Sequence, residues 1–153
     1  MNDRYLFKAQ RTDNGEWVEG HLITDEQEEK KHFIAYIFGT DEDGQPHDID
    51  SAMVDPFTIC QCTGLKDDNN NLIFENDILF LKDKINGIEW KAIVRFGNPN
   101  GEYTYGWQLV PIAEFDGNKD ILLWVETELE YMQCEIVGNR FDNPKLLEVQ
   151  EEG

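Results

Sequence analysis

Turn-forming residues cut this chain at short intervals: Asn14-Gly15, Asp41-Glu42-Asp43-Gly44, Lys66 to Asn71, Asn86-Gly87 and Pro99-Asn100-Gly101. The runs between them are rich in β-branched and aromatic residues. That pattern leaves little room for long helices and predicts many short strands. Tyr5–Gln10 and Glu16–Ile23 flank Asn14-Gly15, a dipeptide suited to a tight hairpin turn. His32–Phe38 reads as a third strand, Thr58–Thr63 as another and Leu72–Phe74 as a short one. Ile78–Leu81, Ile88–Phe96 and Tyr103–Ile112 complete the set. Fold class follows: mainly β, an N-terminal hairpin region and then a small barrel or roll.

Two stretches are less direct. In Ile121–Val137, apolar residues at 122, 125, 129, 132 and 136 have helical spacing, while Glu126, Glu128 and Glu130 alternate as on a half-exposed strand. The reading adopted is a strand at Ile121–Val125, an irregular or helical turn, then a strand at Cys134–Val137. Asn143-Pro144 has the form of an N-cap followed by proline at the first helical position, predicting a short C-terminal helix over Pro144–Val149.

At 153 residues, with 40% hydrophobic and 12% aromatic content, the chain can bury a core without disulfides or metals. No apolar window reaches the 18 or so residues of a membrane-spanning helix. Met1 to Tyr5 lacks the basic start and apolar core of a signal peptide. The three cysteines, an odd number, argue against a disulfide framework. A cytoplasmic location is therefore the expectation.

Charge excludes more than it assigns. There are 13 basic and 32 acidic residues, a net charge of −19. Direct binding to nucleic acid or to an anionic membrane surface needs Lys and Arg that this chain does not have to spare. The acidic excess is concentrated at the two ends: 13 against 5 in residues 1–50 and 12 against 3 in residues 101–153, but 7 against 5 between them.

Two segments carry a family resemblance. One runs from Val54-Asp55-Pro56 through Gln61-Cys62-Thr63-Gly64-Leu65-Lys66-Asp67 to Ile73-Phe74-Glu75-Asn76-Asp77-Ile78. The other is Glu135-Ile136-Val137-Gly138-Asn139-Arg140-Phe141-Asp142-Asn143-Pro144-Lys145-Leu146-Leu147. Together, and with Phe7-Lys8-Ala9 and Trp17-Val18-Glu19-Gly20, they resemble the YopX family of phage and prophage proteins. The resemblance implies a phage, prophage or mobile-element origin and a later part built as an SH3-like barrel. It implies no activity and carries over no catalytic residue. Asn76 and Asn71 stand where the family usually has glycine, and asparagine is the residue that best replaces glycine at positive φ. The residues around Cys60 and Cys62 also differ from the family's usual glycine and aromatic. Gly64 is expected in a backbone conformation that glycine alone adopts freely.

The chemical motifs each have a plainer reading. Asp67, Asn69 and Asn71 match the first positions of a calcium loop, but Leu72 and Ile78 stand where its glycine and bidentate glutamate belong. A polar turn is the better account. Cys60 and Cys62 would lie about 6.6–6.8 Å apart on one strand face; with Cys134 they read as small core residues rather than zinc ligands or a redox pair. His21, His32 and His47 are scattered, and Glu126, Glu128 and Glu130 read as a solvated strand face.

No catalytic, cofactor-binding or metal-binding residue is assigned, and no cofactor is expected. The chain divides as a 1–54 β subdomain and a 55–153 SH3-like barrel with a C-terminal extension, unless both form one compact unit. The leading expectation is a non-enzymatic accessory protein that docks on another protein. An acidic mimic of nucleic acid, occupying a host DNA-binding protein, is the alternative; a small metal-dependent hydrolase is the third. Mimicry requires the two acidic ends to converge, because duplex DNA presents about 22 charges along the roughly 38 Å of such a globule. Exposed strand edges leave homo-oligomerisation open.

Overall fold

The computed structural model describes residues 5–27, 31–40, 42–44, 46–101 and 105–148. The chain divides into two compact units, Met1–Cys62 and Thr63–Gly153. Strands dominate both, as the turn spacing predicts.

In the first unit, β1 (Phe7–Gln10) and β2 (Trp17–Thr24) form the expected hairpin around Asn14-Gly15, with Gly15 at φ 73°. Asn14 Oδ1 accepts the Glu16 amide at 2.9 Å and fixes the turn. β3 (His32–Thr40) and β4 (Pro46–Met53) add to the same antiparallel sheet, in the order β4-β3-β2-β1, and the start of β5 (Cys60–Lys66) lies beside β1. The turn at Asp41 falls on a residue outside those described. Asp55 caps a 3-10 turn at Pro56–Thr58 by accepting the Phe57 amide at 3.0 Å. The core is small: Ala9, Ile34 and Val54, with Phe7, Val18, Leu22 and Ile59 packed around them. Gly20 is required there, since a Cβ would strike the Ala35 carbonyl oxygen and the Ile34 side chain.

In the second unit, β6 (Leu72–Phe74) lies beside the end of β5. A four-stranded antiparallel sheet then runs β10-β7-β8-β9, where β7 is Asp77–Asp83, β8 Ile88–Gly97, β9 Gly106–Pro111 and β10 Met132–Asn139. Its inner face carries Leu79, Leu81, Ala92, Val94 and Leu109, closed over by Trp90, Trp124 and Phe115. Trp90 stacks on Phe115 at 4.0 Å between centroids and meets Trp124 edge-on at 5.4 Å.

Three expectations are corrected. The sheet is open and not a closed barrel: its end strands β10 and β9 pair not with each other but with side chains and short backbone segments. Asp67 and Asp68 take the Ile136 and Cys134 amides of β10 at 3.0 and 2.8 Å. On β9, Asn100 Nδ2 donates to the Leu109 carbonyl at 3.0 Å, and Gln108 makes a lone bridge to Asp120. Second, Ile121–Val125 is not a strand. Ile121–Trp124 is one α-helical turn, α1, in which Asp120 accepts the Leu122 amide at 3.0 Å and Ile121, Trp124 and Val125 are buried. Third, the C-terminal helix is a 3-10 turn over Pro144–Leu147. Asn143 does not cap it; its Oδ1 instead accepts the Asn139 amide at 3.2 Å.

Candidate interaction surface

Side chains alternate between the faces of a strand, so a half-buried sheet ordinarily shows polar residues to water. In the first unit, β2 to β4 break that rule. Val18, Gly20 and Leu22 of β2, Ile34 of β3 and Ala52 of β4 turn to the core side. The intervening positions form a second apolar face. Ile23, Phe33 and Met53 lie in one cross-strand row, His21, Ala35 and Ser51 in the next, and Ile37 faces Ile49 beyond them. Ile23, Ile37, Ile49 and Met53 are between 43% and 67% exposed, while Phe33 and Ala35 are half-buried. Six apolar side chains on one face of three strands are a contiguous surface, not scattered single residues.

Two basic residues of this unit are engaged by neighbours. Arg11 is paired with Asp13 at 3.0 Å, which holds the Asp13 carboxyl below the usual carboxylate range, and Lys8 sits 5.0 Å over the Trp17 ring. Residues 1–62 hold 14 acidic and 5 basic side chains. The apolar face thus belongs to a unit with a surplus of carboxylates, among them Glu19 on the outward side of β2.

The sequence motifs fall elsewhere and do structural work. Asp67 is buried, with Oδ1 accepting the Asn69 and Asn71 amides at 3.0 and 2.9 Å while Oδ2 takes Ile136. This is a polar turn whose carboxylate is spent on backbone amides. Positive φ falls at Asn76 (72°), as expected from its place in the motif, and at Asn70 (66°) rather than Asn71. Gly64 has φ 81°.

Cys60, Cys62 and Cys134 are buried thiols. The Cys134 thiol is pushed up to about 12, first by burial and then by the negative charges of Asp68 and Asp67, so it is no nucleophile at neutral pH. His21 is exposed on β2, His32 Nδ1 lies 3.2 Å from Thr24 Oγ1, and the His47 side chain is outside those described. Glu126, Glu128 and Glu130 are solvated as expected, but on an irregular turn rather than a strand.

The second unit also has a groove of about 320 Å³ over Trp90 and Phe115, edged by Lys91, Glu114, Lys145 and Glu148. Its charges are mixed, with lysines and glutamates side by side in the lining.

The apolar face was not read from the sequence, and β4 is the reason. Pro46, Asp48 and Asp50 are poor strand residues, so Ile49 and Met53 were not placed beside β3. One signal was present: His32–Phe38 is apolar at nearly every position, which suits a strand covered on both faces rather than on one.

Comparison with curated proteins and comparison with solved structures each give no match. A protein-family model described as YopX protein matches residues 6–148, nearly the whole chain, and the chain belongs to the YopX family.

Proposed function

We propose that this protein is a non-enzymatic interaction module of phage or prophage origin, and that the outward face of β2, β3 and β4 docks it on a partner protein. The observation that carries this reading is the set of Ile23, Phe33, Ala35, Ile37, Ile49 and Met53 on the outward face, four of them exposed. Covering such half-exposed side chains gains about 1 kcal/mol each.

The partner's chemistry follows from charge. A second copy of this chain brings another −19, whereas a protein offering apolar residues ringed by Lys and Arg meets the carboxylate surplus favourably. The same face argues against the acidic-mimic reading, since it carries isoleucine, phenylalanine and methionine where a phosphate mimic needs carboxylates.

The test compares the tagged wild-type chain with an Ile37→Ser/Ile49→Ser variant in capture from nuclease-treated bacterial lysate. The wild type should retain a partner that survives high salt, and the variant should lose it. Equal retention by both would remove this face from the account. A partner released from both by salt alone would favour the mimic.

A further inference from the structure

The second unit holds an aromatic cluster in which Trp107 packs on the core while two further rings reach solvent. Phe96 of β8 and Trp107 of β9 are directly opposed across the sheet, with ring centroids 5.0 Å apart and planes at 66°. Tyr105 meets the same Phe96 ring at 5.5 Å and 82°. The Phe96 ring thus meets two other rings, each at a steep angle. Trp107 is half-buried and anchored on the core, while Phe96 is 50% and Tyr105 79% exposed.

The next residues along the two strands leave space beside the rings. Gly97 pairs with Gly106 in the next row, at φ 108° and 144°. A Cβ on Gly106 would meet nothing within 4 Å, and one on Gly97 only Tyr105 Cε2 at 4.0 Å. Bare backbone therefore lies beside the rings. The neighbouring cation is engaged elsewhere: Arg95 Nη1 donates to Asn76 Oδ1 at 3.1 Å.

Exposed rings of this kind offer two binding energies, apolar area and the negative quadrupole of the ring face. Charge decides between them. Residues 63–153 carry 18 acidic and 8 basic side chains, so the unit draws cations toward its surface and repels anions. We propose that Phe96, Tyr105 and Trp107 form a recognition site for a cationic side chain, the guanidinium of an arginine on a partner, held by cation–π contact. The site is independent of the β2–β4 face and stands or falls apart from it.

The test titrates the full chain with N-acetyl-arginine amide and with its neutral isostere N-acetyl-citrulline amide, following the Trp107 indole N–H by NMR. A Phe96→Leu/Tyr105→Leu variant keeps the charge and an apolar side chain at each position but loses two quadrupoles. The expected result is a saturable Trp107 shift with the arginine compound, a much smaller one with citrulline, and an affinity about fivefold or more weaker in the leucine variant. Equal responses to the two compounds would overturn the proposal in favour of plain apolar contact. An undiminished arginine response in the leucine variant would overturn the three-ring site by removing Phe96 and Tyr105 from it, and no shift at tens of millimolar would remove the site altogether.

Discussion

Asp67 Oδ2 accepts the backbone amide of Ile136 at 3.0 Å, across 69 positions of sequence. With Asp68, which takes the Cys134 amide at 2.8 Å, it does for β10 what a neighbouring strand would do. A calcium-like string of aspartates and asparagines is thereby explained as an edge device. An open sheet needs its outer amides satisfied and its edge closed to stray pairing.

Removing that device should be costly. Asp67→Ala leaves the Asn69, Asn71 and Ile136 amides without their acceptor, and a loss of about 2–4 kcal/mol is expected from urea denaturation. Asp68→Ala gives up one such bond and should lose about 1–2 kcal/mol. If Asp67→Ala unfolds at the wild-type urea concentration, these bonds do not hold the edge.

Asp83 supplies a pH test. It accepts the Ile85 and Asn86 amides at 3.0 and 3.1 Å and the Asn86 side chain at 2.7 Å, and these bonds hold its carboxyl below the ordinary value, the Asn86 side chain contributing most. A group lowered on folding stabilises above its unfolded pKa, about 3.9, and loses that contribution as pH falls through the folded value. The stability gap between wild type and Asp83→Asn should therefore be constant from pH 7 to about 5 and shrink below about 4. A gap unchanged down to the acid limit of folding would contradict the depressed value.

Strain marks a third position. Glu126 has φ 52° although it is neither glycine nor asparagine, and its side chain is exposed. Glu126→Asn should raise stability by about 0.5–1 kcal/mol, because asparagine tolerates that backbone better. A thermal unfolding midpoint at or below the wild-type value would show that the turn carries no such strain.

Burial of the cysteines predicts their reactivity. With the Cys134 thiol at about 12 and all three cysteines buried, a thiol reagent at pH 8 should label none in the native chain within minutes, and all three in denaturant. Fast labelling of native Cys134 would show that β10 opens far more readily than its hydrogen bonds suggest.

Much of this architecture was legible because its turns are chemically marked. Asn14-Gly15, Asn86-Gly87 and Gly64 impose backbone conformations that few other residues accept, and the strands between them follow. Three features escaped for physical reasons. β4 forms from Pro46, Asp48 and Asp50 because β3 offers it a register, which is tertiary pairing overriding local preference. Ile121–Val125 closes into α1 because Asp120 caps it and the 121, 124 and 125 side chains share one buried side, a short-range signal outweighed by alternating glutamates downstream. The positive φ at Asn70 rather than Asn71 depends on which amides Asp67 captures, a choice made within the folded turn. The outward face of β2–β4 escaped with β4 itself.

The central claim, that this outward face meets another protein, is tested most directly by site-specific photo-crosslinking in bacterial cells. A benzophenone side chain replaces Ile49 on the face or, as a control, the exposed Ile85 of the second unit. The account predicts a discrete adduct with a second protein at position 49 and none at position 85. Adducts at 49 containing only this chain, or the same products from both positions, would contradict it.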